Sequence, residues 1–306
     1  MIPLIEYQNN FAVMRLLIYG MSKSGKSTLA ATLAKDYRMI WIDIENATET
    51  LVKLPDEVKS NIDIVRIPDR ASSPVACNTV LNLLKFKKAD ICLKHGLINC
   101  MACRANGIIQ KVNLTNLDPK RDIVVIDSIT QLGLSMLAYT LKDKDFDYKP
   151  ERDDWGEIRR YSEYAASELQ SVPFNLIVTA TPIEVTLEDK RTKLVPQFGS
   201  KDMSQNIMAK FSTIIFTEVV NKQHKAYSRS TASNTFVSGS RSGQAIENLA
   251  EPSLIPIFKE YMEGKIEQTK TITSTASRVT KPAKVTLPSG EAKAITKLTG
   301  LKLGKT

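Results

Sequence analysis

No run of apolar residues in this 306-residue chain reaches the roughly 18 that a membrane-spanning helix needs, which excludes a helical membrane protein. The start, MIPLIEYQ, has no basic segment leading into an apolar one, so no secretory leader is read and a cytoplasmic location is expected. No internal repeat is found. Residues 265–306 contain no aromatic residue and only two acids, yet nine basic residues and nine threonines. That segment alone holds a net +7 of the chain's +9, leaving about +2 for residues 1–264. It has too little apolar surface to offset the entropy of ordering, and reads as a flexible basic tail. Such a tail either merely solubilises or tethers the chain to nucleic acid or another acidic surface.

Cysteine is also scarce. Of four, three fall between Cys92 and Cys103 with His95 among them, while Cys77 stands alone and reads as a small buried hydrophobe. The remaining composition, 42% apolar and 25% charged, is that of an ordinary globular chain long enough to bury a sizeable core. Secreted, collagenous and wholly disordered classes are excluded with the membrane-spanning one.

Short apolar runs at 13–19, 39–44, 62–67, 122–127 and 175–180 alternate with helical patterns at 27–35, 74–85, 130–141 and 155–172. That alternation predicts an α/β fold, a mainly parallel sheet with helices on both faces. Late strands, expected to be antiparallel, are read at 214–220 and 226–237, and a closing helix at 254–263. Residues 142–154 and 182–200 read as loops. The expected domain is 1–264, with a small insert at 89–107, followed by the tail at 265–306.

The first strand runs into Gly20-Met-Ser22-Lys23-Ser24-Gly25-Lys26-Ser27, a full G-x-x-x-x-G-K-[ST] motif between a strand and a helix. Its glycines let backbone amides wrap a phosphate, and the helix that follows adds the positive end of its dipole. Lys26 is expected to reach the β/γ-phosphates of ATP and Ser27 to ligate Mg²⁺, with Thr28 near the inner phosphate. Asp127 ends the most strand-like run, IVVID, where an acid has little structural reason to be; beside a P-loop it holds the metal. Asp43 and Glu45 end the strand after the P-loop helix. An acid there can serve as general base for an attacking water, although a turn or a helix cap explains either one as simply.

The order GMSKSGKST, WIDIEN, VVIDS, NLIVTAT resembles the RecA-type P-loop ATPase core over roughly residues 10–260. More closely, it is similar to the compact bacteriophage ATPases associated with single-strand annealing and recombination. The resemblance implies a Mg-dependent, DNA-binding ATPase of DNA recombination, repair or replication, acting on single-stranded DNA as a homo-oligomer (a ring or short filament). If the chain is phage-encoded, it implies the host cytoplasm. It also implies Glu45 as the residue that activates water, Thr181 or else Thr179 as the γ-phosphate sensor, and Arg241 as a finger reaching a neighbouring subunit. An ordinary exposed arginine is the plain alternative for Arg241. With only about a dozen residues before the first strand, the helical domain of bacterial recombinases is not expected here, though MIPLIEYQ is long enough to add an edge strand to a neighbour.

Cys92-x₂-His95-x₄-Cys100-x₂-Cys103 offers four soft ligands within twelve residues, enough to close a tetrahedron around a structural Zn²⁺. A redox pair at Cys100 and Cys103 is the alternative, and leaves Cys92 and His95 without a role. By the same resemblance the loops at 142–154 and 182–200 face DNA. The second carries Lys190, Arg191 and Lys193 to follow phosphates and Phe198 to stack a base. The first mixes Lys142, Lys144 and Lys149 with six acids. Two other functions stay open: a nucleotide-gated adaptor that does not hydrolyse, and a nucleoside kinase.

Overall fold

The computed structural model describes residues 13–145, 147–186, 190–241, 245–247 and 249–263. The basic segment 265–306 and the leading MIPLIEYQ lie outside them.

Seven strands form the main sheet in the order β11-β10-β1-β7-β6-β2-β3, and β12 pairs with β10 from off that path. These eight strands are β1 (Arg15–Gly20), β2 (Arg38–Asp43), β3 (Ile62–Arg66), β6 (Asp122–Asp127), β7 (Asn175–Ala180), β10 (Thr213–Val220), β11 (Gln223–Tyr227) and β12 (Gly239–Ser240). Every pairing from β10 to β3 is parallel; β11 and β12 run antiparallel to β10. All six residues of β6 and of β7 are buried, because helices cover both faces and leave no solvent side for polar residues.

Alternate side chains feed two cores. On one face, Leu16, Ile18, Trp41, Val125 and Ile177 pack with α1 (Lys26–Ala31), its 3₁₀ continuation Thr32–Lys35, and α9 (Ile255–Glu263). The short helices α2 (Glu49–Val52) and α3 (Asp56–Lys59) add Leu51 and Val58 there. On the other, Leu17, Ile42, Val124, Ile126 and Val178 pack with α4 (Ala76–Phe86), α6 (Ile129–Thr140) and α7 (Arg152–Ser171). Cys77 is buried in this second core, as its isolation in the sequence suggested. The remaining helices are α5 (Met101–Ala105) and α8 (Lys201–Asn206).

Three sequence expectations change. Residues 182–200 are not a loop throughout: β8 (Pro182–Thr186) and β9 (Thr192–Pro196) pair as an antiparallel hairpin. β10 is parallel to β1, and the strand expected over 226–237 ends at Tyr227. Beyond it, polar side chains satisfy the backbone instead. Glu247 accepts from the amides of Ser228 and Arg229, and Ser230 Oγ from that of Ser238. Third, α7 begins at Arg152, three residues earlier than the pattern indicated, closed by a reciprocal cap between Glu151 and Asp154. The insert expected at 89–107 extends further: it forms the tip of a hairpin of β4 (Lys88–Cys92) with β5 (Ile109–Asn113).

Candidate functional site: a P-loop and three carboxylates

The loop between β1 and α1 needs unusual backbone. Lys23 and Gly25 both have left-handed φ, 63° and 95°, and a Cβ on Gly25 would press on the His224 ring at 3.0 Å. His224, on β11, also meets Ser24 O through Nδ1 at 3.1 Å. Nothing in the sequence marked it as a neighbour of the loop. Ser24 is buried against Thr217 on β10, their hydroxyls 2.7 Å apart. Ser22, Lys23 and Thr28 are exposed along the rim.

Lys26 Nζ donates to the carbonyls of Gly20 at 2.9 Å and Met21 at 3.0 Å. Burial lowers its pKa, against the opposing pull of the Glu45 and Asp127 charges. Ser27 Oγ donates to Asp127 Oδ2 at 3.0 Å, and Thr179 Oγ1 donates to Asp127 Oδ1. Parallel pairing sets Asp43 on β2 beside Asp127 on β6. Asp43 is 2% exposed, and its pKa is raised chiefly by that burial. Glu45 lies two residues further on, with Oε1 accepting from Ser128 Oγ. Burial raises its pKa too, the Ser128 bond opposes, and the Asp127 charge adds to the rise. Cation, hydroxyl and three carboxylates thus meet at the carboxyl ends of β1, β6 and β2. Hydroxyl and carboxylate oxygens suit a hard divalent ion such as Mg²⁺.

Thr181 follows the end of β7 at the same edge of the sheet, but its hydroxyl meets Thr130 Oγ1 and Gln197 Oε1, both at 3.3 Å. Of the two threonines considered as sensors, Thr179 is the one bonded to Asp127. Arg241 is exposed and follows β12, whose partners Thr213 and Ile214 begin β10. The P-loop lies at the other end of that strand, where Gly20 pairs with Thr217. Within one chain, Arg241 and Lys26 are therefore at opposite ends of the sheet.

The expected DNA loops are also altered. Phe198 is fully buried, so it is not available to stack a base. Lys193 is 8% exposed, and its ammonium donates to Asn234 O and, at 2.8 Å, to Ala232 O. Arg191 donates to Ala232 O at 3.1 Å; Lys190 is exposed. In the first segment Lys142 and Lys144 lie over the rings of Tyr139 and Tyr148.

The Cys/His insert comes together as its spacing predicted. The ligand atoms of Cys92, His95, Cys100 and Cys103 all lie within 4.8 Å of one another. His95 Nδ1 is 3.6 Å from Cys100 Sγ and 3.4 Å from Cys103 Sγ. Tetrahedral Zn²⁺ with ordinary bond lengths would place such a nitrogen and sulfur about 3.6 Å apart, so the donor set fits the ion.

Residues 12–242 match the family model described as AAA domain. The chain belongs to that family. This AAA-domain protein is therefore a P-loop NTP-hydrolysing ATPase, for which ATP and Mg²⁺ are implied, and its mostly parallel sheet fits a RecA-like fold. A search of curated proteins returned no match. Among the described residues no helix is long and apolar enough to cross a membrane.

Proposed function

We propose that this ATPase acts on single-stranded DNA in recombination, repair or replication, as a homo-oligomer related to the phage recombination ATPases. What supports the reading most is Glu45: a carboxylate two residues beyond the end of β2, the strand beside β6 and its Asp127, bonded to Ser128, where the RecA resemblance expects the water-activating group. Lys26 contacts the β/γ-phosphates, Ser27 and Asp127 hold Mg²⁺, and Thr179 steadies Asp127. Mg²⁺, when bound, neutralises charge on the transferring phosphoryl group. Glu45 orients water and takes its proton. Arg241, remote from its own P-loop, serves a neighbouring subunit. Lys190 and Arg191 on the β8–β9 turn, together with the basic tail, give the DNA contacts. The Cys/His cluster holds a structural zinc, since four protein ligands leave no open position.

Turnover by the purified protein, with and without single-stranded DNA, tests this. DNA should stimulate hydrolysis; Lys26→Ala should abolish it, and Glu45→Gln should lower it by about 10²-fold or more while ATP still binds. Because burial raises the Glu45 pKa and the ionised form is the active one, kcat should fall as pH drops through a value above the usual glutamate range. The residual rate of Glu45→Gln should lack that limb. ATP binding without turnover in either condition would overturn the proposal in favour of a nucleotide-gated adaptor.

A further inference from the structure

The Cys/His cluster and the Glu45 carboxylate belong to different elements, yet two separate chains of contacts join them. The first begins at Gly96, in the turn between His95 and Cys100. Its φ is 71°, and a Cβ there would meet Val75, Pro68 and Ile67 at 3.0–3.2 Å, so the turn is pressed onto the start of α4. Thr79 on that helix donates to Gly96 O at 2.7 Å. At the head of α4 the amides of Val75 and Ala76 donate to Asp69 Oδ1 at 2.8 and 2.9 Å. Ser135 Oγ joins them at 3.0 Å, and Gln131 Nε2 donates to Asp69 Oδ2 at 3.1 Å. The Gln131 amide then donates to Ser128 Oγ at 3.2 Å, and Ser128 Oγ to Glu45.

The second chain crosses the sheet edge. The Gln110 side chain on β5 accepts from Arg66 N at 3.2 Å and donates to Arg66 O, taking the place of a strand beside β3. Arg66 Nε donates to Asn46 Oδ1 at 3.2 Å, and Asn46 follows Glu45 with a left-handed φ of 55°. Covering the edge of β3 would account for Gln110 alone. It does not account for Asp69, a carboxylate 9% exposed that takes four bonds from α4 and α6.

We propose that the Cys/His hairpin is a positioning element for Glu45. Metal on the four ligands fixes the hairpin; Asp69–Gln131–Ser128 and Gln110–Arg66–Asn46 carry that fixity to the carboxylate and to the backbone beside it. The inference rests on the reading above, that Glu45 activates water and that the cluster holds a metal. Gln110 is a positioning residue, acting through Arg66 and Asn46.

The test uses the full chain in three forms: zinc-loaded, stripped by a chelator, and zinc-loaded Gln110→Ala. Zinc content, kcat and KM for ATP, and amide hydrogen exchange over residues 44–48 are measured on each. Stripping and Gln110→Ala should each speed exchange at 44–48 and lower kcat by about tenfold, with KM changed less than about twofold. Gln110→Ala should keep its zinc. Exchange and kcat at wild-type values in zinc-loaded Gln110→Ala would overturn the proposal, and so would a wild-type chain that takes up no zinc. Should stripping unfold the chain, the Gln110→Ala arm decides. If Glu45→Gln turns over like wild type while exchange at 44–48 still answers to Gln110, the base assignment fails and the mechanical link stands.

Discussion

Two hairpins outside the main sheet, β4–β5 and β8–β9, each pair five residues with five, and they are held by different forces. The second is tied into the sheet by parts of the chain far from it in sequence. Leu194 O lies 3.1 Å from the Tyr19 hydroxyl, Leu194 N donates to Thr235 O at 2.6 Å, and the Lys193 ammonium is sealed under the 228–237 segment. The first meets the core through Ala89, Ile91 and Val112, and nearer its tip only Ile98 and the buried turn at Gly96 touch it. Toward its tip Leu93, Leu97, Met101 and Ile108 are exposed, and the inward-facing groups are three thiols and an imidazole. Burial closes one hairpin. The other has a tip too small to own a core, and in the function proposed above a cation on its four ligands supplies what burial cannot.

Metal removal should therefore separate them most sharply. Structural zinc carries about 10–16 kcal/mol in isolated finger peptides at neutral pH, and the anchored base of β4–β5 will retain part of the structure without it. Hydrogen exchange over 93–108 should rise by about 100-fold or more on chelation, while exchange over 182–196 stays as it was. Equal responses from both hairpins would break the comparison.

The converse change is smaller and falls on the other hairpin. The buried Tyr19 hydroxyl donates to Val237 O at 2.6 Å and accepts from Val237 N at 2.8 Å, and burial pushes its pKa up, so it stays protonated at any working pH. Tyr19→Phe leaves those groups unpaired and should cost about 1–3 kcal/mol in urea unfolding. Exchange should quicken at 192–196, with zinc affinity unmoved. A fall in zinc affinity would mean that the two hairpins share a support.

How far the sequence reveals all this depends on how local each signal is. The P-loop, Asp127 and the Cys/His spacing are written in contiguous residues, and each meets its partners where expected. Glu45 is ambiguous in sequence because a terminal acid also caps turns; its bond to Ser128 distinguishes it only in three dimensions. The β8–β9 strands carry only weak alternation: Ile183 and Val185 share one face of β8, opposite Val195 and Lys193. The resemblance implies an outward Phe198, although an isolated phenylalanine is by default core, where Phe198 lies. His224, Gln110 and Asp69 have no motif, since their roles come from backbone atoms brought near by folding.

The smallest expected effect tests whether charge, rather than metal, closes the first hairpin. Arg104 on α5 meets Asp90 on β4 at 2.7 Å and Asn99 Oδ1 at 3.2 Å, bridging its tip to its base. The two charged side chains are 54% and 29% exposed, so water and salt screen the pair. Exposed pairs of this kind contribute about 0.2–1 kcal/mol. Arg104→Ala should accordingly weaken zinc binding by less than about tenfold, and the difference should shrink further at high salt. Were the loss instead as large as that of stripping the metal, the ion pair would be what closes the tip, and the four ligands would be passengers on a hairpin already formed. A small, salt-sensitive loss leaves the metal as the closing force, and with it the reason that three of the chain's four cysteines fall within twelve residues.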